Sequence, residues 1–331
     1  MTNGNVAPSR VATRGAIVDL LAASALWGGM YVVSAATFDR IPPLSLGFLR
    51  LVVGIVVLLV AFRGRVGFGQ APLGRVVAAG AIVALTMALQ FVGTSLTGGA
   101  EGALLTTTTP AFVLVFGVLL ERQRVTRLAW LGVATALLGV AVLAARNGGF
   151  GGPSSLAPGP TIAGIPTGLV GDLLLVGSAA TWALFSSVGR PLVERVGAFR
   201  AIFQASCVAI VLIAPFAGLE LAGRRLPPIE PVTVLAVLYL GVMATAVAWS
   251  LWYRGYASAP STVSAAVFFA QPVVGATLGV FVHGEYLGPL FLAGGALIGV
   301  GVLAIAAGGR KRRTSAERAA PDRTAAADGR C

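Results

Sequence analysis

The sequence predicts an all-α integral membrane protein of ten transmembrane helices, arranged as two inverted five-helix repeats. Three observations predict it. Only 11% of the 331 residues are charged and 56% are hydrophobic, where a soluble domain carries about 25% charged residues. The apolar residues run in unbroken stretches that span about 30 Å of hydrocarbon when helical. The second half of the chain also matches the first without a gap, at a spacing of 162 residues.

The spans fall at 16–36, 44–62, 76–96, 100–120, 127–145, 169–188, 200–220, 232–252, 262–282 and 286–308. They are apolar on every face and lack the alternation of barrel strands, so helix is the spanning structure open to them. The chain then divides into a cytoplasmic N-terminal segment, 1–15, and a first repeat, 16–145. A Gly/Pro-rich external linker, 146–168, leads to a second repeat, 169–308, and a basic cytoplasmic tail, 309–331, expected to be disordered. Arg10 and Arg14 before an apolar run, with Ser34-Ala35-Ala36 behind it, loosely resemble a secretory signal. The run has span length, however, and reads as the first helix.

The formal net charge of +12 is a topological signal. With the N-terminus inside, nineteen of the 24 basic residues lie on the cytoplasmic side and only Arg40, Arg146, Arg224 and Arg225 on the other. The positive-inside rule therefore places both termini in the cytoplasm and the chain in an inner (plasma) membrane. No basic stripe interleaved with aromatics is present, so nucleic acid is not an expected partner. Membrane lipid is, and the Arg310-Lys311-Arg312-Arg313 cluster suits anionic headgroups. Two cysteines, Cys207 and Cys331, and one histidine, His283, give no basis for a disulfide or a metal centre. No nucleotide-binding or hydrolase motif occurs, so neither an enzyme nor a cofactor is expected.

The repeat pairs Pro110 with Pro272, Gly117 with Gly279, Gly132 with Gly294, Gly139 with Gly301 and Gly93 with Gly255. Weaker matches set Asp19 against Asp172, Trp27 against Trp182 and Arg50 against Arg200. Five spans is an odd number, so tandem copies insert with opposite orientation. Inverted repeats are the architecture of many secondary transporters, because near-equivalent halves give inward- and outward-open states of similar energy. A carrier for a small-molecule solute is the first reading. The alternative is a non-transport membrane protein of the same fold, such as a lipid scramblase or an assembly scaffold.

Particular residues also resemble a known family. They are Trp27-Gly28, Arg50, the run Gly102 to Pro110, then Glu121, Gly132 and Gly139, and in the second copy Ala270-Gln271-Pro272, Gly284-Glu285, Gly294 and Gly301. In this order the chain from about 15 to 308 is similar to EamA-type transporters of the drug/metabolite transporter superfamily. The resemblance implies an exporter of small metabolites, amino acids or toxic compounds, coupled to protons or to exchange. Two departures stand out: Leu120-Glu121 lies two residues early relative to Glu285, and Glu101 occupies a place where the family more often has a small or apolar residue.

Candidate site residues follow from polarity inside spans. Arg50 sits two turns into the second span, where a charge costs about 2.5–3.5 kcal/mol. It is either an anchor for a substrate anion or a structural partner of a carboxylate or carbonyls. Gln90, Thr106, Thr109 and Gln271 either bind substrate or bond back to the helices. Trp27 and Trp182 are candidates to line a cavity, whereas Trp252 and Tyr253 suit the interfacial belt. Glu101 is the candidate coupling carboxylate, or an interfacial residue at a helix N-terminus. Asp19 and Asp172 read as solvated charges near span starts. Pro110 and Pro272 mark helix kinks, which point to a midplane site or to packing alone. The small-residue pairs Gly275/Gly279 and Gly295/Gly299 suit close packing within the chain or in a homodimer.

Overall fold

The computed structural model describes residues 14–61, 71–120, 122, 124–146, 161–224, 228–258 and 267–319. Glu121, most of the linker and the last twelve residues lie outside them. The helices in chain order are α1 (Arg14–Ala35), α2 (Pro43–Ala61), α3 (Leu73–Thr97), α4 (Gly99–Leu105), α5 (Thr109–Leu119) and α6 (Arg127–Arg146). After a short hairpin come α7 (Thr167–Val188), α8 (Arg190–Val196), α9 (Ala198–Leu221), α10 (Pro231–Leu238), α11 (Ala248–Ser258), α12 (Ala270–His283) and α13 (Pro289–Ala319). Among the described residues, nine helical stretches are long and apolar enough to cross a membrane, and α12 is a shorter apolar helix in the ninth place.

Among the described residues, two spans carry a 3₁₀ or π stretch. The fourth runs as α4, a 3₁₀ turn at Thr106–Thr108 and α5. The cause is Pro110, which lacks an N–H and crowds the carbonyl one turn back. It therefore sits at the start of a new helix. The eighth span is α10, a π-helical stretch at Tyr239–Val247 and α11. The wider turn takes up one extra residue. Gly241 abuts Val53 and the Arg50 carbonyl, as Gly80 abuts Val208 and the Ala205 carbonyl. Gly255 abuts Leu20 and the Ala16 carbonyl, as Gly93 abuts Leu175 and the Gly171 carbonyl. The segment Gly241–Gly255 is thus one residue longer than Gly80–Gly93 between equivalent contacts. A helix pinned at both ends absorbs such an insertion as a π turn.

Tight packing rests on glycines. α6 lies along α13, α3 along α7 and α9, and α1 along α11 and α12. A Cβ at Gly132 would stand 2.6 Å from the Gly301 carbonyl, and one at Gly139 2.6 Å from the Gly294 carbonyl. Gly275, Gly279, Gly295 and Gly299 all face neighbours in the same chain, so those pairs serve internal packing.

Several expectations are corrected. α13 continues to Ala319, so 309–319 are helical rather than disordered. The end of the linker is ordered as a hairpin, Thr161–Ile162 against Ile165–Pro166, closed by Ala163 and Gly164 with positive φ. Asp172 is 1% exposed and is therefore not a solvated charge. Asp19 is held by Arg254 through two hydrogen bonds of 2.6 Å, a contact between the two halves. Trp252 leaves the interfacial belt: its ring lies 5.2 Å from Trp27 and 5.4 Å from Phe268.

Candidate functional site

Seven residues singled out from the sequence meet around one central cavity: Trp27, Arg50, Gln90, Thr106, Thr109, Trp182 and Gln271. They come from α1, α2, α3, the 3₁₀ turn, α5, α7 and α12, so both halves contribute. Glu101, Pro110 and Pro272 are not among the lining residues. Glu101 is buried in the first turn of α4. The cavity holds about 60 Å³ of water-accessible space, room for roughly four waters.

Arg50 is 2% exposed. Its Nε donates to Thr245 Oγ1 at 2.9 Å and its Nη2 to the Ala244 carbonyl at 3.5 Å. Among the described residues, Nη1 has only the Met87 sulfur at 3.8 Å. The guanidinium carbon lies 5.8 Å from the centre of the Phe91 ring. Among the described residues Arg50 is in no salt bridge. Of the two readings of this residue, a carboxylate partner within the protein is therefore absent from the described residues, and the carbonyl contact is long. The π stretch is what presents Thr245 and Ala244, and the Ala244 carbonyl also accepts Trp27 Nε1–H at 3.0 Å.

The threonine hydroxyls bond back to the helix. Thr106 donates to the Gly102 carbonyl, Thr107 to Leu104, Thr108 to Leu105 and Thr109 to Thr106, over 2.5–2.8 Å. The Thr106 carbonyl crowded by Pro110 thereby accepts a hydrogen bond from Thr109. Thr106 Oγ1 additionally accepts Gln271 Nε2–H at 2.9 Å, and Gln271 also donates to the Ala103 carbonyl. Gln90 donates to the Tyr31 hydroxyl at 2.7 Å. Trp182 stacks on Phe185 with ring centres 5.5 Å apart.

Sequence reasoning alone misses other lining residues, yet a signal existed for most of them. Residues three and four apart share a helix face. From Trp27 that face carries Met30 and Tyr31; from Gln90, Met87 and Thr86; from Trp182, Ala179 and Ser178. All six line the cavity.

The chain is similar to known proteins. The profile of the EamA-like transporter family matches residues 14–145 and 169–307. The chain belongs to the EamA-like transporter family. It is 28% identical over 264 residues to the uncharacterized transporter YetK of Bacillus subtilis, covering 78% of this chain and 77% of that one. It is 28% identical over 290 residues to the uncharacterized inner membrane transporter YedA of Escherichia coli K12, covering 84% and 87%. A probable amino-acid metabolite efflux pump of Salmonella typhimurium is 25% identical over 308 residues, covering 88% and 94%. A solved crystal structure shares the fold at a TM-score of 0.62 and 23% identity, covering 90% of this chain and 96% of that one.

In this EamA-like membrane transporter, Gly284 and Glu285 acquire a structural meaning. Gly284 ends α12 in the left-handed region, φ 64°. Glu285 then accepts the amide hydrogens of Gly99 and Ala100, at 3.0 and 3.1 Å, at the N-terminus of α4. Gly98, φ 107°, turns those amides outward, a conformation only glycine adopts without strain. At the same end of the molecule Glu220 accepts the amides of Leu44 and Ser45 at the start of α2. His283 Nε2 meets the Val32 carbonyl at 3.0 Å, and Arg40 pairs with Glu230 at 2.9 Å. Each contact joins the second half to the first. Together they tie the two halves to each other at this end, each carboxylate also gaining from a helix dipole.

Proposed function

We propose that this transporter is a secondary carrier that exports a small organic solute by alternating access, coupled to protons or to exchange. Its two five-span halves are inverted repeats that rock about the central cavity, with both termini cytoplasmic. One observation carries the reading. Gly132 faces Gly301 and Gly139 faces Gly294, while the repeat pairs Gly132 with Gly294 and Gly139 with Gly301. Exchanging the halves converts one contact into the other, which is what a two-fold axis between α6 and α13 does. The contacts of Gly93 and Gly255, and of Gly80 and Gly241, support the same exchange. The efflux direction is suggested by the name of the Salmonella relative.

The positive-inside count makes the end tied by Glu220 and Glu285 external, so this conformer faces the cytoplasm or is occluded. The test is counterflow in liposomes containing the purified full chain. Saturable uptake accelerated by internal unlabelled solute is expected from a pooled metabolite extract. Absence of any saturable, trans-stimulated flux would sink the carrier reading.

Two further outcomes are expected here. Glu285→Gln keeps the side-chain size but replaces one of the two accepting oxygens with an NH2, which cannot accept from a backbone amide, and removes the charge at the helix end, a loss of about 1 kcal/mol or more from the contacts at the external end. A cysteine at Ser178 should then label faster with an impermeant maleimide added from outside, and an unchanged rate would remove Glu285 from that role. Glu101→Gln should abolish pH-driven flux and leave solute exchange. Intact pH-driven flux in that variant would take Glu101 out of coupling.

A further inference from the structure

We infer that the central cavity selects a net-monoanionic solute, a carboxylate on an apolar or aromatic body, over zwitterions and cations. This deepens the carrier reading and rests on it for the cavity being the substrate site.

The charge arithmetic of the cavity is one-sided. Among the described lining residues Arg50 is the one with a formal charge, and none is acidic. A guanidinium buried to 2%, with no carboxylate partner among the described residues, carries an unmet electrostatic demand. Its Nε edge is held by Thr245, while Nη1, among the described residues, has only a thioether beside it. With Nη2 held only by the long 3.5 Å contact to the Ala244 carbonyl, the Nη1/Nη2 edge is suited to two oxygens of a carboxylate. A zwitterion would bring an ammonium that must be desolvated against neutral acceptors only, at a cost a simple carboxylate avoids. A lone cation would meet Arg50 with like charge.

The rest of the solute is specified by the walls. Trp27, Trp182, Trp249 and Phe268 supply flat apolar surface, and Met30 adds a deformable side chain. The contact equivalent to that of Arg50 in the other half is made by Ala205, so the positive charge occurs on one side of the cavity only. The solute therefore binds with its carboxylate toward α2 and the π turn. At about 60 Å³ the cavity is too small for an aromatic ring, so the walls must move apart to admit one.

Quenching of intrinsic tryptophan fluorescence in the purified full chain, in detergent at pH 7, tests this with four matched probes. They are 3-phenylpropionate, its neutral amide, phenylalanine and phenethylamine. The carboxylate is expected to bind roughly ten- to a hundred-fold more tightly than the amide, the value of a charge-assisted hydrogen bond. Phenylalanine should fall below the carboxylate and phenethylamine should bind most weakly. Arg50→Gln should erase the difference between carboxylate and amide while changing the affinity for the amide only a few-fold. Phenylalanine or phenethylamine binding as tightly as the carboxylate overturns the proposal, and so does undetectable binding of the carboxylate at millimolar concentration. Binding order is read without flux. The expected order with no counterflow would sink the carrier reading alone, whereas counterflow of a cation would sink the monoanion selectivity alone.

Discussion

Arg50→Met is expected to abolish flux of anionic solutes while leaving the transporter as stable as before, or more so. Both signs follow from the partners of the guanidinium. Thr245 Oγ1 donates to the Leu240 carbonyl at 2.8 Å whether or not Arg50 is present. The Ala244 carbonyl keeps Trp27, and a methionine sulfur demands no donor. Removing the charge therefore orphans no buried group. It also relieves the cost of holding an unpaired cation inside a span, about 2.5–3.5 kcal/mol on insertion scales. An arginine kept for structure behaves in the opposite way: breaking a buried ion pair costs about 3–5 kcal/mol. Thermal unfolding of the detergent-solubilised protein, run beside the counterflow assay, separates the two. Loss of flux at equal or higher Tm assigns Arg50 to binding. A clear drop in Tm assigns it to the scaffold.

Valine at Gly132 or Gly139 is expected to be the most damaging single substitution on the scaffold. The added Cβ would meet a backbone carbonyl at 2.6 Å and a backbone amide nitrogen within 3 Å, on the facing helix. Backbone cannot swing aside as a side chain can, so α6 and α13 must separate. Overpacking of this kind costs about 3 kcal/mol. Glycines in open surroundings should respond with the opposite sign. At Gly74 in α3 and Gly218 in α9, an added methyl group would have no neighbour within 4 Å. Alanine there should be neutral or stabilising by up to about 1 kcal/mol, the helix-propensity difference. Exchange of the halves adds a sharper expectation: Gly294→Val and Gly301→Val should cost as much as their counterparts. Size-exclusion profiles and unfolding temperatures of the six variants read this directly. A strong asymmetry between the Gly132/Gly139 pair and the Gly294/Gly301 pair would argue against the two-fold relation.

The candidate site was readable in part. Polar and charged residues inside apolar spans are costly, so Arg50, Gln90 and Gln271 stood out and do line the cavity. Their helical neighbours Met30, Tyr31, Thr86 and Met87 were readable in principle, from the spacing of three and four. Of the weaker repeat matches, Trp27 with Trp182 keeps the spacing of the equivalent contacts, whereas the other two were misleading. Arg50 pairs with Arg200 by eye, yet the residue making its equivalent contact is Ala205. Asp19 and Asp172, which look alike in sequence, differ in setting: one is held by Arg254 near a helix end and the other is 1% exposed. Apolar segments match at many shifts, and only contacts with a fixed partner choose among them.

By itself the sequence determined the membrane class, the number and place of the apolar segments, and the residues too polar to face lipid. The bilayer imposes these one segment at a time, since each span must satisfy its own backbone hydrogen bonds and hide its own charges. Only the tertiary structure decided the register between the halves, the π turn that offers Thr245 to Arg50, and the carboxylates that latch one end. Those depend on contacts between residues a hundred or more positions apart, where a shift of one residue changes the partner and leaves the hydropathy unchanged.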